Sequence, residues 1–215
     1  MTEEFKQKLI EIVEVKQTKI DPSHCFQHVM RVTNLAEKIG RQEGADLDIL
    51  IPAALFHDII VYPKNSPQSR NETEESAQLA IEILKEEKDY PQDKIDKVAT
   101  CIRQCSFSKQ IEPELLESKI LQDADRLEAT GAISIMRTYS SGGQMNRPLY
   151  HAADPFCKNG PVKFRSSIDL FYQRLLVVEG TMHTELAKEI AKRRTIFLKE
   201  FLDELELELK ESEII

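Results

Sequence analysis

Apolar residues recur every three to four positions along almost the whole chain, which is the period of an amphipathic helix. This pattern predicts an all-α protein, in which a surface helix near the beginning precedes a second helix from Asp21-Pro22 to near Gly44. Residues 49–56 are apolar on nearly every side, so they are expected to form a central, buried helix. That helix runs directly into His57-Asp58.

Later segments continue the helical pattern, interrupted by loops rich in Pro, Ser, Asn and Gly. Residues 62–71 and 140–163 are predicted to be irregular. No repeat, low-complexity tract or linker divides the sequence, so a single helical domain over residues 1–215 is expected. Further helices are predicted at 71–88, from Pro91 onward, at 115–130, at 166–178 and at about 184–210.

Composition narrows the class of protein. Among 215 residues, 41% are hydrophobic and 31% are charged, which suits a packed core under a solvated surface. The net charge is -8 and no Lys/Arg run is present, so duplex nucleic acid is not an expected partner. A small anionic substrate is compatible with this charge, because a bound metal ion can invert the local field.

The expected location is the cytoplasm. No apolar run approaches the 18 residues that a membrane helix needs, and the first residues lack a basic-then-apolar signal pattern. Cys25, Cys101, Cys105 and Cys157 do not suggest a disulfide framework in a chain of this size. We expect reduced thiols, no membrane partner, and a monomer or homodimer.

Several polar residues fall at the ends or on the faces of apolar helices. His24 and His28 lie one helical turn apart, His57-Asp58 ends the most apolar helix, and Asp125 lies in the segment KILQDADRLEA. Buried imidazoles and carboxylates are costly unless something satisfies them. Mixed nitrogen and oxygen ligands favour a transition metal over Ca²⁺.

Each of these features is weak when taken alone. A histidine on an apolar face is more often a packed core residue than a ligand, and Asp125 can equally pair with Arg126. A metal-free buried polar network, compensated by Arg31 and Arg126, is the structural alternative. The residues alone therefore indicate a helical protein with a candidate metal site.

Taken in order, the motifs resemble those of the HD-domain superfamily of metal-dependent phosphohydrolases, which are all-α helical bundles. The matching segments are His28-Val-Met-Arg-Val, Ala-Ala-Leu-Phe-His57-Asp58-Ile and Ala-Asp125-Arg-Leu. The resemblance implies that His28, His57, Asp58 and Asp125 hold one divalent metal: Mn, Fe, Co, Ni, Mg or Zn. Asp123 is about 200° from Asp125 on a helix, so it is not expected to bind the same ion.

The similarity extends over nearly the whole chain to a bacterial subfamily of stand-alone HD hydrolases. Its segments include SKILQDADRLEATGAISIMRTYSSGG, NRPLY, SSIDLFYQRL and MHTELAKEIAKRR. Members are associated with cleavage of phosphate bonds in nucleotides, which implies a small phosphorylated partner. The residues that the resemblance implies for substrate binding are Arg126, Arg137, Arg147 and Lys163.

The sequence departs from this subfamily at five positions that are usually polar or glycine. The loss of these side chains argues against a second metal and leaves the general acid unassigned. His24 or Glu72 are candidates, since either side chain can transfer a proton when its pKa is tuned, and a water on the metal is another. The five departures are Cys25, Ile60, Glu72, Cys105 and Leu170.

The leading hypothesis is hydrolysis of a phosphoester or phosphoanhydride bond of a nucleotide by metal-activated water. His24, Asp58 and Glu72 are the expected catalytic side chains. The alternative is a degenerate HD domain that binds metal and nucleotide with little or no turnover, as the five departures suggest.

Overall fold

The computed structural model describes residues 1–17, 25–63, 66–106, 109, 111–163 and 165–213. Within these ranges the chain forms helices and no strand, which confirms the all-α prediction. The α-helices are α1 (Glu3–Lys16), α2 (Phe26–Glu43), α3 (Leu47–Phe56), α4 (Glu72–Glu86), α5 (Ile95–Gln104), α6 (Leu116–Leu127), α7 (Gly131–Gln144), α8 (Ser167–Leu170) and α9 (Glu185–Glu211).

Two compact units divide the chain, Met1–Asp125 and Arg126–Ile215. In the first unit, α3 packs against α1, α2, α4 and α5, and α4 packs against α5. In the second unit, α7 packs against α8 and α9. The boundary falls within α6, two residues before its end. A single domain over residues 1–215 therefore stays a prediction.

The helix α3 lies at the centre of the first unit, as its all-round apolar sequence indicates. Every residue from Ile49 to Phe56 is buried. Pro52 lies inside this helix and has no N–H group to donate to the carbonyl of Asp48 four residues earlier. The hydroxyl of Tyr90 donates to that carbonyl instead, at 2.7 Å. A contact 42 residues away in sequence thus compensates for the proline.

Several element boundaries differ from those that the sequence pattern suggests. The capping pair Asp21-Pro22 lies outside the described residues, and α2 begins at Phe26. A 3-10 turn, Pro67–Asn71, replaces part of the expected 62–71 loop, and α7 continues to Gln144. The predicted helix at 166–178 is α8 followed by a π-helical turn, Phe171–Leu175.

The irregular segment that follows α7 is tied to α8 by one buried carboxylate. Asp169 is 1% exposed and accepts hydrogen bonds from the Val162 amide at 2.7 Å and the Ser166 hydroxyl at 2.5 Å. Arg165 forms an ion pair with the same carboxylate at 2.8 Å. Asp169 therefore satisfies groups that the lack of regular structure would otherwise leave unpaired.

None of the helices in the described part of the chain is both long enough and apolar enough to cross a membrane.

Candidate metal centre

Three helices of the first unit deliver the candidate ligands. His28 lies in the first turn of α2 and is fully buried, and His57 and Asp58 follow the last residue of α3. Asp125 lies in the last turn of α6. The apolar face of each helix fixes its rotation, so the polar side chains project toward one point.

The rotation of α6 is set by its buried neighbours. Leu121 and Ala124 are fully buried, and the Gln122 amide donates to the carbonyls of Gln104 at 2.7 Å and Ile111 at 3.0 Å. These contacts anchor α6 to the last residue of α5 and to the segment that follows it. Asp125 is consequently left with a partly exposed carboxylate.

The ligand atoms converge. One ligand atom from each of His28, His57 and Asp125 lies within 4.8 Å of the others. The Nε2 atom of His28 is 3.5 Å from Oδ1 of Asp125 and 3.5 Å from Oδ2 of Asp58. His57 Nε2 is 3.6 Å from the same Oδ2 atom. The structure thus brings together all four residues that the sequence singles out as ligands.

The tautomer of His57 suits a metal ligand. Its Nδ1 atom lies 2.7 Å from the carbonyl of Ala54, so Nδ1 carries the proton and donates it. Nε2 therefore presents a lone pair to the cluster. This atom is buried and has no hydrogen-bond partner among the described residues. A buried polar atom left unpaired costs about 1–3 kcal/mol, which a coordinated cation would remove.

The charge at the centre also suits a cation. The carboxylates of Asp58 and Asp125 are 21% and 19% exposed and lie beside two buried imidazoles. Burial, and then the negative charges of Asp125 and Asp58, raise the pKa of the Cys105 thiol well above its usual range. The donor set of two imidazoles and two carboxylates fits a divalent ion such as Mn²⁺, Fe²⁺, Co²⁺ or Zn²⁺. The residues present can therefore hold the metal that their chemistry implies.

Asp123 lies outside this cluster. Its side chain is fully buried, and the group within 4.8 Å contains Asp125 instead. The helical period accounts for the difference, since two residues along α6 turn the side chain by about 200°.

Besides Asp58, the residues predicted to be catalytic are His24 and Glu72. His24 lies outside the described residues. Glu72, the first residue of α4, accepts a hydrogen bond from the Tyr62 backbone N–H at 2.7 Å. Its carboxylate therefore contacts the segment that follows Asp58, a contact that the sequence did not reveal.

The four predicted substrate-binding cations all belong to the second unit. Arg126 is 8% exposed, and its Nη1 donates to the Thr181 carbonyl at 2.6 Å. Arg137 lies 3.9 Å from the buried Glu128 carboxylate. Contacts within the unit thus already engage these two side chains. Of the other two, Arg147 Nη2 lies 3.4 Å from the sulfur of Met145, and Lys163 is exposed.

Two polar residues that the sequence did not single out contact the ligand segment. The Gln17 amide donates to the Asp58 carbonyl at 3.2 Å. Ser76, fully buried on α4, accepts a hydrogen bond from the Ile60 N–H at 3.2 Å. The signal for Ser76 was available, because a hydroxyl on an otherwise apolar helix face requires a partner.

Comparisons with known proteins agree with the helical fold and with the HD-type motifs that carry the candidate ligands. The HD domain model matches residues 25–130. YpgQ of Bacillus subtilis (strain 168) is 32% identical over 190 residues, which cover 86% of this chain and 84% of YpgQ. A crystal structure of YpgQ in complex with ADP matches with a TM-score of 0.73 and 28% identity over 95% of each chain. An HD-superfamily hydrolase from Bacillus thuringiensis matches with a TM-score of 0.75 and 29% identity, covering 96% of this chain and 97% of that protein.

Proposed function

The chain belongs to the HD domain family, and from this premise we propose that it is a metal-dependent phosphohydrolase acting on a nucleotide. The bond cleaved would be a phosphoester or a phosphoanhydride. One observation carries the proposal: the ligand atoms of His28, His57 and Asp125 converge within 4.8 Å, and the Asp58 carboxylate lies beside both imidazoles.

These four residues would hold one divalent ion. When bound, such an ion lowers the pKa of a coordinated water and polarises a phosphoryl oxygen, which is the chemistry that phosphate hydrolysis needs. The Ala54 carbonyl keeps His57 in the tautomer that offers Nε2. Asp58 is partly exposed, so its carboxylate can accept a hydrogen bond from the attacking water and orient it toward phosphorus.

A nucleotide is the proposed substrate class. The support is the YpgQ crystal structure, which contains ADP and matches 95% of each chain. Arg126, Arg137, Arg147 and Lys163 are the proposed phosphate contacts. Because Arg126 is buried against the Thr181 carbonyl, its replacement is expected to perturb the fold as well as phosphate binding.

His24 and Glu72 are the proposed proton donors to the leaving group. The variant Glu72→Gln separates proton transfer from hydrogen bonding, because the glutamine carbonyl oxygen still accepts from the Tyr62 N–H but the amide has no acidic proton to transfer. If the Glu72 carboxyl acts as the acid, kcat falls by about 100-fold or more and the pH profile loses the corresponding limb.

The experiment that tests the proposed function is a phosphate-release screen over nucleoside mono-, di- and triphosphates with Mn²⁺ or Co²⁺. His57→Ala and Asp58→Ala are expected to abolish release. His151→Ala is the matched control, because this histidine is exposed in the irregular segment of the second unit. Failure of the wild-type protein to release phosphate from every nucleotide and from an aryl phosphate contradicts hydrolysis.

A second candidate function is binding of metal and nucleotide without turnover. The observation that favours it is Cys105, one of the five departures, which is buried and places a thiol where the resembling subfamily usually has a polar side chain. Tight, metal-dependent nucleotide binding without phosphate release supports this candidate, whereas turnover that His57→Ala abolishes refutes it.

A further inference from the structure

The backbone leaves the helix directly at the metal ligands. The helix α3 ends at Phe56, and Asp58 begins a non-helical segment that extends to Tyr62. Ile59 and Val61 are buried, at 0% and 5% exposure, so alternate side chains of the segment enter the core. Beyond the Ile59 N–H, which bonds to the Phe56 carbonyl, the segment needs partners from elsewhere to fix its position.

Three residues at the start of α4 supply these partners. Ser76 Oγ accepts from the Ile60 N–H at 3.2 Å and donates to the Ile60 carbonyl at 3.4 Å. Glu72 accepts from the Tyr62 N–H at 2.7 Å, and Glu75 accepts from the Tyr62 hydroxyl at 2.6 Å. We call Glu72, Glu75 and Ser76 the α4 clamp.

The spacing of the clamp matches the segment that it binds. Glu75 and Ser76 follow Glu72 by three and four positions, so all three share one face of α4. Their partners, Ile60 and Tyr62, are two apart and are both half-buried, on either side of the buried Val61. At the other end of the segment, Gln17, the residue that follows α1, donates to the Asp58 carbonyl at 3.2 Å. The segment is therefore held from both ends.

We propose that the α4 clamp positions His57 and Asp58 for metal binding, which makes Glu72, Glu75 and Ser76 positioning residues. For Glu72 this role is additional to the proton transfer proposed above. The inference rests on the proposed function, because it assumes that these two side chains are metal ligands. A ligand geometry must be held within about 0.5 Å, and neighbours that orient ligands typically contribute 10–100-fold to metal affinity. The clamp acts through the backbone immediately after Asp58, where small displacements move the carboxylate.

Cobalt binding tests the clamp without relying on activity. The dissociation constant for Co²⁺ and the visible spectrum of the Co²⁺ complex are measured for the wild type, Glu72→Ala, Glu72→Gln and Ser76→Ala. Gln78→Ala is the control, because Gln78 is exposed on α4 and pairs only with Glu82 in the described structure. Glu75→Gln controls for charge, since it removes one negative charge but keeps an acceptor for the Tyr62 hydroxyl.

We expect Glu72→Ala and Ser76→Ala each to weaken Co²⁺ binding by about 10-fold or more and to change the visible spectrum. Glu72→Gln keeps the acceptor, so its affinity should fall by no more than about fivefold, the effect of one partly exposed charge. Glu75→Gln should behave similarly, and Gln78→Ala should match the wild type.

Wild-type affinity and spectrum in both alanine variants would overturn the inference. An equal loss in Glu72→Gln and Glu72→Ala would also overturn it, because charge would then matter and the hydrogen bond would not. If Glu72→Ala does not fold, Ser76→Ala decides, since it removes a single buried oxygen. A wild type that binds Co²⁺ but releases no phosphate refutes the proposed function, while the affinities still decide the role of the clamp.

Discussion

Asn in place of Asp169 is expected to destabilise the second unit strongly. The Asp169 carboxylate is 1% exposed and accepts hydrogen bonds from the Val162 amide and the Ser166 hydroxyl, beside its ion pair with Arg165. Asparagine has nearly the same size but replaces one acceptor oxygen with an NH₂ group. That group points its N–H donors at the Val162 and Ser166 donors. It also leaves the Arg165 guanidinium only the more distant Asp154 carboxylate, 4.0 Å away, as an ion-pair partner in the described structure.

The size of the effect follows from burial. Breaking a buried ion pair by removing one partner costs about 3–5 kcal/mol, and the partial exposure of Arg165 favours the lower end. At roughly 2–4 °C per kcal/mol for a chain of this length, a loss of about 3 kcal/mol lowers Tm by roughly 6–12 °C. The matched control is Glu206→Gln, because Glu206 pairs with Lys210 at the same i,i+4 spacing on a solvated helix face. That exposed pair is screened by solvent, so its loss should leave Tm nearly unchanged.

Acid titration provides an independent check on Asp169. Burial alone would raise the pKa of this carboxyl, but hydrogen bonds from Arg165, Ser166 and the Val162 amide more than offset it and hold the pKa well below its usual range. The stability that the lowered pKa supplies is present above the unfolded-state pKa of about 3.9 and is lost as pH falls through the folded-state pKa.

The assay is thermal unfolding followed by circular dichroism between pH 7 and pH 2.5. The difference in stability between the wild type and Asp169→Asn should be constant above about pH 5 and should narrow below about pH 4. The reasoning is refuted if Asp169→Asn lowers Tm no more than Glu206→Gln does, or if the difference is unchanged at the lowest pH.

Two further substitutions have matched controls within the chain. Asp125→Asn should abolish the rise in Tm that Mn²⁺ produces. Asp123→Asn should keep that rise, because Asp123 lies outside the ligand cluster. Thermal unfolding with Mn²⁺ and with EDTA checks both variants. Gly131→Ala and Gly44→Ala both place alanine at positive φ, 70° and 73°, which costs about 1–2 kcal/mol. Gly131→Ala should lower the free energy of unfolding in urea by more than Gly44→Ala does. The added Cβ would lie 3.1 Å from Arg194 Cγ at position 131, whereas at position 44 it meets nothing within 4 Å. Equal losses in the two variants would contradict this.

The helices could be predicted because their apolar period is a local property of the sequence. The central position of α3 followed from residues 49–56, whose apolar side chains leave no solvent-facing side. The way in which α3 accommodates Pro52 could not be predicted in this manner. It depends on the Tyr90 hydroxyl, which the fold brings to the Asp48 carbonyl from 42 residues away.

The ligand cluster could be predicted because each of its residues belongs to a short motif. His28, His57, Asp58 and Asp125 were identified from those motifs and their order, and the structure brings them together. The contact of Glu72 with the Tyr62 N–H could not be deduced, because it depends on how closely the segment after Asp58 approaches α4.

Contacts between residues distant in sequence also determine the partners of the predicted substrate-binding cations. Arg126 adjoins a ligand in sequence, which favoured a role in substrate binding. In the structure its guanidinium donates to the Thr181 carbonyl, 55 residues later, and lies 3.2 Å from His183 Nε2. No local pattern in the sequence identifies these partners.

Metal content tests the central hypothesis most directly. The protein is purified without chelator, dialysed against Mn²⁺ or Co²⁺, and compared by elemental analysis with a variant that carries both His57→Ala and Asp58→Ala. We expect about one equivalent of divalent metal per wild-type chain and none in the variant. A wild type without bound metal, or a variant that binds as much metal as the wild type, would contradict the assignment of His28, His57, Asp58 and Asp125 as a metal centre.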